Sequence, residues 1–168
     1  MSPNEKWATP YEQACDFHAL SGPALAEVAR EVLSRGHSFR FLAPGTSMSP
    51  FIRNGDVVTL APFDSAACAL GDVVAFVQPG SGRLVVHRVV EVANDNCRIQ
   101  GDNNPTEDGQ FPFECITGTV ARVERDGRTV LFGLGPERAV IAWFSRRRWL
   151  HRSTRAAGVV YSRIRRSS

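Results

Sequence analysis

The chain has 168 residues, 43% of them hydrophobic and 22% charged, which suits one globular domain with extensions and excludes disorder throughout. Its net charge of +3 hides a division: from Pro136 to Ser168 nine arginines stand against one acid, Glu137, so this end carries +8 and the rest −5. No run approaches the ~20 apolar residues of a bilayer span, and the first 20 residues hold no apolar stretch of the kind that opens a secretory signal.

Met1 to Leu20 reads as irregular, with Trp7, Tyr11 and Phe17 able to fold back onto the body. Ser21 to Gly36 reads as a helix: Ser21 caps it, Pro23 suits the first turn and Gly36 the exit. Leu25, Val28, Val32 and Leu33 form its apolar face, and Glu27, Arg30, Glu31 and Arg35 its polar one.

From Phe39 the period changes. Apolar strings at Phe39–Ala43, Val57–Leu60, Val73–Val77, Leu84–Val92, Cys97–Gln100, Ile116–Val123 and Thr129–Phe132 are divided by turns rich in Gly, Asn and Asp. Short strands between such turns predict a mainly β fold, a barrel or coiled sheet. After Gly133-Leu134-Gly135-Pro136 helical spacing returns with Val140, Ile141, Trp143 and Phe144, followed by Arg146-Arg147-Arg148. The chain thus divides into an N-terminal extension with an amphipathic helix (1–36), a β-rich domain (37–134) and an Arg-rich helical tail (135–168). Cys15, Cys68, Cys97 and Cys115 are widely spaced, which argues against a zinc site or a disulfide framework and for reduced, mostly buried thiols in a cytoplasmic protein.

Three segments carry candidate chemistry: Gly45-Thr46-Ser47-Met48-Ser49-Pro50; Gly71-Asp72-Val73-Val74 leading to Val86-His87-Arg88-Val89-Val90; and Gly101-Asp102-Asn103-Asn104 with Asp108 behind it. A serine hydroxyl attacks a carbonyl only when a base takes its proton. The one lysine, Lys6, stands in the polar N-terminus, and of His18, His37, His87 and His151 only His87 lies in a strongly apolar strand pattern. A carboxylate would fix the imidazole's tautomer, and Asp102 and Asp108 are the candidates. Arg88, one step along the strand, points to the opposite face, where a surface role is expected. Met48, Pro50 and Phe51 read as packing and turn geometry.

The order of these motifs resembles the signal-peptidase and SOS-repressor superfamily of serine peptidases, from about Gly45 to about Val123. The resemblance implies that family's coiled β-sheet barrel core, here with an N-terminal helix and a basic helical tail. It places the nucleophile at Ser47 and the base at His87. It gives the supporting aspartate to Asp108, with Asp102 second, and requires no metal or cofactor. Histidine rather than lysine at the base position is similar to the endoplasmic-reticulum, archaeal and sporulation-type enzymes. The oxyanion and substrate-binding positions map onto Gly45, Thr46, Ser47 and Met48. Gly45 stands where many signal peptidases carry a second serine. No transmembrane anchor precedes Ser47, and the insertion between His87 and the Gly-Asp-Asn-Asn turn is short.

The implied activity is a soluble endopeptidase that cleaves a peptide or precursor protein through an acyl-enzyme, with small side chains at the cleavage pockets. A peptide-binding module that no longer cuts and an autoproteolytic regulator are the alternatives. For the basic tail three readings stand: a helix packed on the domain, attachment to an anionic membrane surface such as the inner membrane, and nucleic-acid binding. A histidine base works only when neutral, so peptide hydrolysis is expected to rise between about pH 5 and pH 8. A flat rate profile across that range would remove His87 from the base position.

Overall fold

The computed structural model describes residues 22–146. The expectations for Met1–Leu20, for Ser21 as cap, for Cys15, His18 and His151, and for the tail beyond Arg146 lie outside them.

Helix α1 (Gly22–Ser34) ends in a Schellman turn: Gly36 N–H donates to Leu33 O at 3.0 Å and His37 N–H to Val32 O at 3.2 Å, with Gly36 at φ +81°. The buried face is Ala26, Ala29 and Leu33, while Val28 is exposed. Leu25 and Val32 pack against the same core, so the expected Leu25–Val28–Val32–Leu33 face holds except at Val28 and extends over the two alanines. Alanines bring the helix backbone close to the sheet, and Gly118 opposite leaves room for the end of Leu33.

Eight strands follow: β1 (Phe39–Leu42), β2 (Val57–Pro62), β3 (Val73–Val77), β4 (Leu84–Ala93), β5 (Asn96–Gln100), β6 (Gly109–Pro112), β7 (Ile116–Arg125) and β8 (Arg128–Thr129). They pair antiparallel in the order β1-β2-β7-β3-β4-β5-β6, with β8 on β7. The sheet is mainly-β as expected, and it stays open. Helix α2 (Arg138–Arg146) packs against β4.

Pleating divides the core. On β3, Val73 and Ala75 join a cluster with α1, Phe39, Phe41, Met48, Ile52, Val58, Leu60 and Val123. Val74 and Phe76 join Val89, Cys97, Ile99 and Ile116 on the other face. Strand β4 is covered on both faces, and His87, Arg88, Val89 and Val90 are all buried. The register with β5 slips between Val89 and Glu91, a bulge in the strand that carries the histidine.

One expected strand is shortened and one strand was not expected. Strand β8 holds only Arg128 and Thr129, and Leu131 and Phe132 are left exposed. Strand β6 has no alternating apolar pattern to announce it, since it begins at Gly109 and ends at Pro112. Of the described thiols, Cys97 is buried, Cys68 half-buried and Cys115 exposed, so the expectation of mostly buried cysteines fails at Cys115. Burial pushes the Cys97 thiol up to about 12 and that of Cys68 to about 11.

The loop between β1 and β2 is tied at its base by Asp56. This carboxylate accepts from Arg53 N–H at 2.7 Å and from Arg125 Nε and Nη2 at 2.8 and 2.7 Å. Burial opposes its ionisation, but the Arg125 and Arg53 hydrogen bonds outweigh burial and hold the carboxyl below its ordinary 3.8. A depressed carboxyl contributes stability above its unfolded value and loses it as pH falls through the folded value. Asp56→Asn is expected to cost on the order of 2 kcal/mol at pH 7. Its unfolding free energy should also fall less steeply than the wild type's below about pH 4. Denaturant titrations at pH 7 and pH 3 check both, and equal pH dependence in the two proteins would contradict the assignment.

Candidate active site

Ser47 stands in the β1–β2 loop at the start of a run of turns. Ser49 N–H donates to Thr46 O at 3.1 Å, and Phe51 and Ile52 N–H donate to Met48 O at 3.1 Å. Met48, Phe51 and Ile52 are buried, so this short stretch is anchored on both sides of the exposed Pro50. Met48 and Phe51 are packed in the interior, and Met48 also reaches the groove over Ser47.

His87 is 4% exposed on β4, and its ring lies against Phe76. Its Nε2 is 2.8 Å from Ser47 Oγ and its Nδ1 is 2.5 Å from Asp108 Oδ2. An ionised carboxylate only accepts, so Nδ1 carries the proton and Nε2 is left to accept from the serine hydroxyl. Asp108 is placed by the edge of β5: its N–H donates to Ile99 O at 2.9 Å, just before β6 begins.

Asp102, the second candidate, is not beside the imidazole. Arg88 is fully buried, which corrects the expected surface role, and it grips Asp102 with both arms: Nε to Oδ1 at 2.8 Å and Nη2 to Oδ2 at 2.7 Å. Its Nη1 donates to Gly71 O at 2.8 Å and Gly133 O at 2.9 Å, and its guanidinium lies 5.5 Å from the centre of the Phe51 ring. Ser145 of α2 donates to Asp102 Oδ1 at 3.0 Å. Alternation did send Arg88 to the face opposite His87. That face is covered by Phe51 and α2, from distant parts of the chain, a cover that local alternation does not announce.

The turn from Gly101 to Asn104 joins the two halves. Asn103 N–H donates to Ser47 O at 2.7 Å and its side-chain amide to Thr46 O at 3.2 Å. Gln100 Nε2 donates to Asn104 O at 3.0 Å. A Cβ on Gly101 would stand 2.9 Å from both His87 Nε2 and Ser47 O, so only glycine fits beside this pair. Asn103, Gly101 and Arg88 are the functional residues that a search for nucleophile, base and acid passes over. Their signal in the sequence was only proximity to the named motifs.

A groove of about 240 Å³ opens over Ser47 and His87. Phe41, Ala43 and Pro44 form one wall, Leu84 and Val86 the other, with Met48 and Ile52 also contributing. Gly45 and Ser47 line it, and Thr46 does not. The Gly45 N–H donates to Asn54 Oδ1 at 2.9 Å, so that donor is already used. No hydrogen bond among the described residues uses the Ser47 N–H. Among the described residues β1 pairs only with β2, and the Leu84–His87 half of β4 only with β3, so each wall presents a strand edge that none of them pairs.

A family model described as Peptidase S24-like matches residues 19–123, more than half of the chain and all three motif segments. No curated protein matches it.

Removing one partner of a buried ion pair strands the other's charge. Arg88→Leu is therefore expected to cost about 3–5 kcal/mol of unfolding free energy, and Arg88→Leu with Asp102→Leu to recover most of that loss. Urea titrations of the single and double variants decide this. Losses that simply add would show that the pair is not the unit described.

Proposed function

The chain belongs to the Peptidase S24-like family, and on that footing we propose that it is a serine endopeptidase acting on a peptide or precursor protein. The observation that supports this reading is the unbroken chain from Ser47 Oγ through the His87 ring to Asp108, with links of 2.8 and 2.5 Å. In this reading an extended peptide lies in the groove and pairs by its backbone with the free edges of β1 and β4. The scissile carbonyl stands over Ser47. His87 takes the Ser47 proton as Oγ attacks, and Asp108 stabilises the imidazolium that forms. The Ser47 N–H faces the developing oxyanion. His87 then gives its proton to the leaving amine, which departs, and later draws a proton from the water that opens the acyl-enzyme.

A binding module that does not cut is the second reading, favoured by one detail. With the Gly45 N–H held by Asn54, the oxyanion site is short of a second donor. A missing donor costs about 3 kcal/mol of transition-state stabilisation, which slows an enzyme without silencing it.

The test is cleavage of a diverse peptide mixture, read by mass spectrometry. Ser47→Ala and His87→Ala are expected to lower turnover at least about 10⁴-fold, and Asp108→Asn about 10³- to 10⁴-fold, with circular dichroism unchanged. Near-normal turnover in His87→Ala would sink the mechanism. Saturable peptide binding without any cleavage by the intact protein would favour the binding module.

A further inference from the structure

A helix packed on a domain by one face ordinarily turns a polar face to water. α2 does not. Ile141, Ala142 and Ser145 face inward, while Val140 and Trp143 stand 56% and 46% exposed on the other side. Of the seven large hydrophobic side chains exposed among the described residues, four fall in this stretch: Leu131, Phe132, Val140 and Trp143. Leu70 adds a fifth, because its neighbour Gly71 lies directly against the backbone of Arg138 and Ala139 in the first turn of α2. Gly133 O, next to Phe132, binds Arg88, and Ser145 of α2 binds the Asp102 that the same guanidinium holds.

From Arg146 onward the sequence supplies eight arginines and no acid, with Trp149 and Tyr161 among them. We propose that the outer face of α2 and this arginine-rich end seat the protein on an anionic lipid surface. Charge selects the surface: arginines are drawn to anionic headgroups, while the rest of the chain, at −5, is repelled and held away from them. Trp143, Val140, Leu131 and Phe132 then enter the boundary between headgroup and acyl chain, where indole is favoured. Nucleic acid offers phosphates for the arginines but no apolar layer for these side chains.

The experiment uses the full chain with phosphatidylcholine vesicles, neat or containing about a third phosphatidylglycerol. Binding is read by co-sedimentation, and Trp143 emission in a Trp7→Phe, Trp149→Phe background. Salt-sensitive binding to the anionic vesicles alone is expected, with Trp143 emission shifting to the blue. Arg147→Gln, Arg148→Gln and Arg152→Gln together should weaken it about a hundredfold. Val140→Ser with Trp143→Ser should weaken it about tenfold or more. The arginine set leaves the buried residues of α2 untouched, so it remains informative if the other pair unfolds. Absence of binding at low salt, equal binding to neutral vesicles, or binding to DNA or RNA with Trp143 unmoved by vesicles would each overturn the proposal. None of these readouts depends on whether Ser47 cuts.

Discussion

A guanidinium with no contact with water sets the terms for the rest of this structure. Arg88 cannot lose its charge, so burial obliges the fold to bring it a carboxylate and further acceptors. The fork of its donors fixes where those acceptors stand: Asp102 on one side, the carbonyls of Gly71 and Gly133 on the other. Three segments far apart in sequence converge on one side chain, and α2 is drawn in through Ser145. A lysine would supply charge but not this planar, four-way geometry.

The consequence for Ser47 and His87 comes from the pleat. His87 and Arg88 are neighbours on one strand and point to opposite faces, so one rigid element carries both the imidazole and the clamp. The clamp holds Asp102, Asp102 fixes the turn it belongs to, and the next residue of that turn, Asn103, holds the carbonyl of Ser47. Asp56 and Arg125 close the Ser47 loop at its other end. The loop that carries the hydroxyl is thus positioned from two directions by ion pairs with a buried carboxylate, and the imidazole by a strand covered on both faces. A hydrogen-bonded chain of three side chains needs this degree of pre-positioning, because a small displacement of any one of them breaks the sequence of proton donors and acceptors.

What the sequence made legible follows the same logic. Apolar strings bounded by turn residues were readable as strands: β3 runs over the expected Val73–Val77, and β2, β4, β5 and β7 differ by a few residues at their ends. His87 could be singled out because a basic ring in an apolar strand is locally anomalous, and Ser47 because of the turn residues around it. The choice between Asp102 and Asp108 was not local. Asp102 lies in the Gly-Asn turn and Asp108 just beyond it, and only the path into β6, a strand without a periodic pattern, decides which carboxylate reaches the imidazole. Arg88 misled for a related reason. Alternation fixes the face but not what covers it, and the cover comes from residues about 40 positions before and 50 after. On helix α1 the expected face holds at Leu25, Val32 and Leu33 and fails at Val28; the closest contact adds Ala26 and Ala29, whose small side chains carry no apolar signal as strong as a leucine's.

Expecting a barrel also left open where the sheet would remain unclosed. Free strand edges invite pairing with other chains, and proteins usually cover or shorten them. Here two of them, on β1 and on the first half of β4, face one another across the groove beside Ser47. Had these two strands paired, the sheet would have gained hydrogen bonds and lost the groove. The loops prevent it: Ala43 is tied to Asp56 and Gly55 rather than to β4, and the β3–β4 turn is closed on itself between Gln78 and Arg83. The groove is lined by both apolar side chains and polar ones, Arg53, Gln78, Arg83 and Asn104 among them, and backbone groups on such edges call for hydrogen-bond partners. The groove thus lies between two strand edges next to a positioned hydroxyl, while the ion pairs of Asp56 and Asp102 fix the loop and the turn on either side of that hydroxyl.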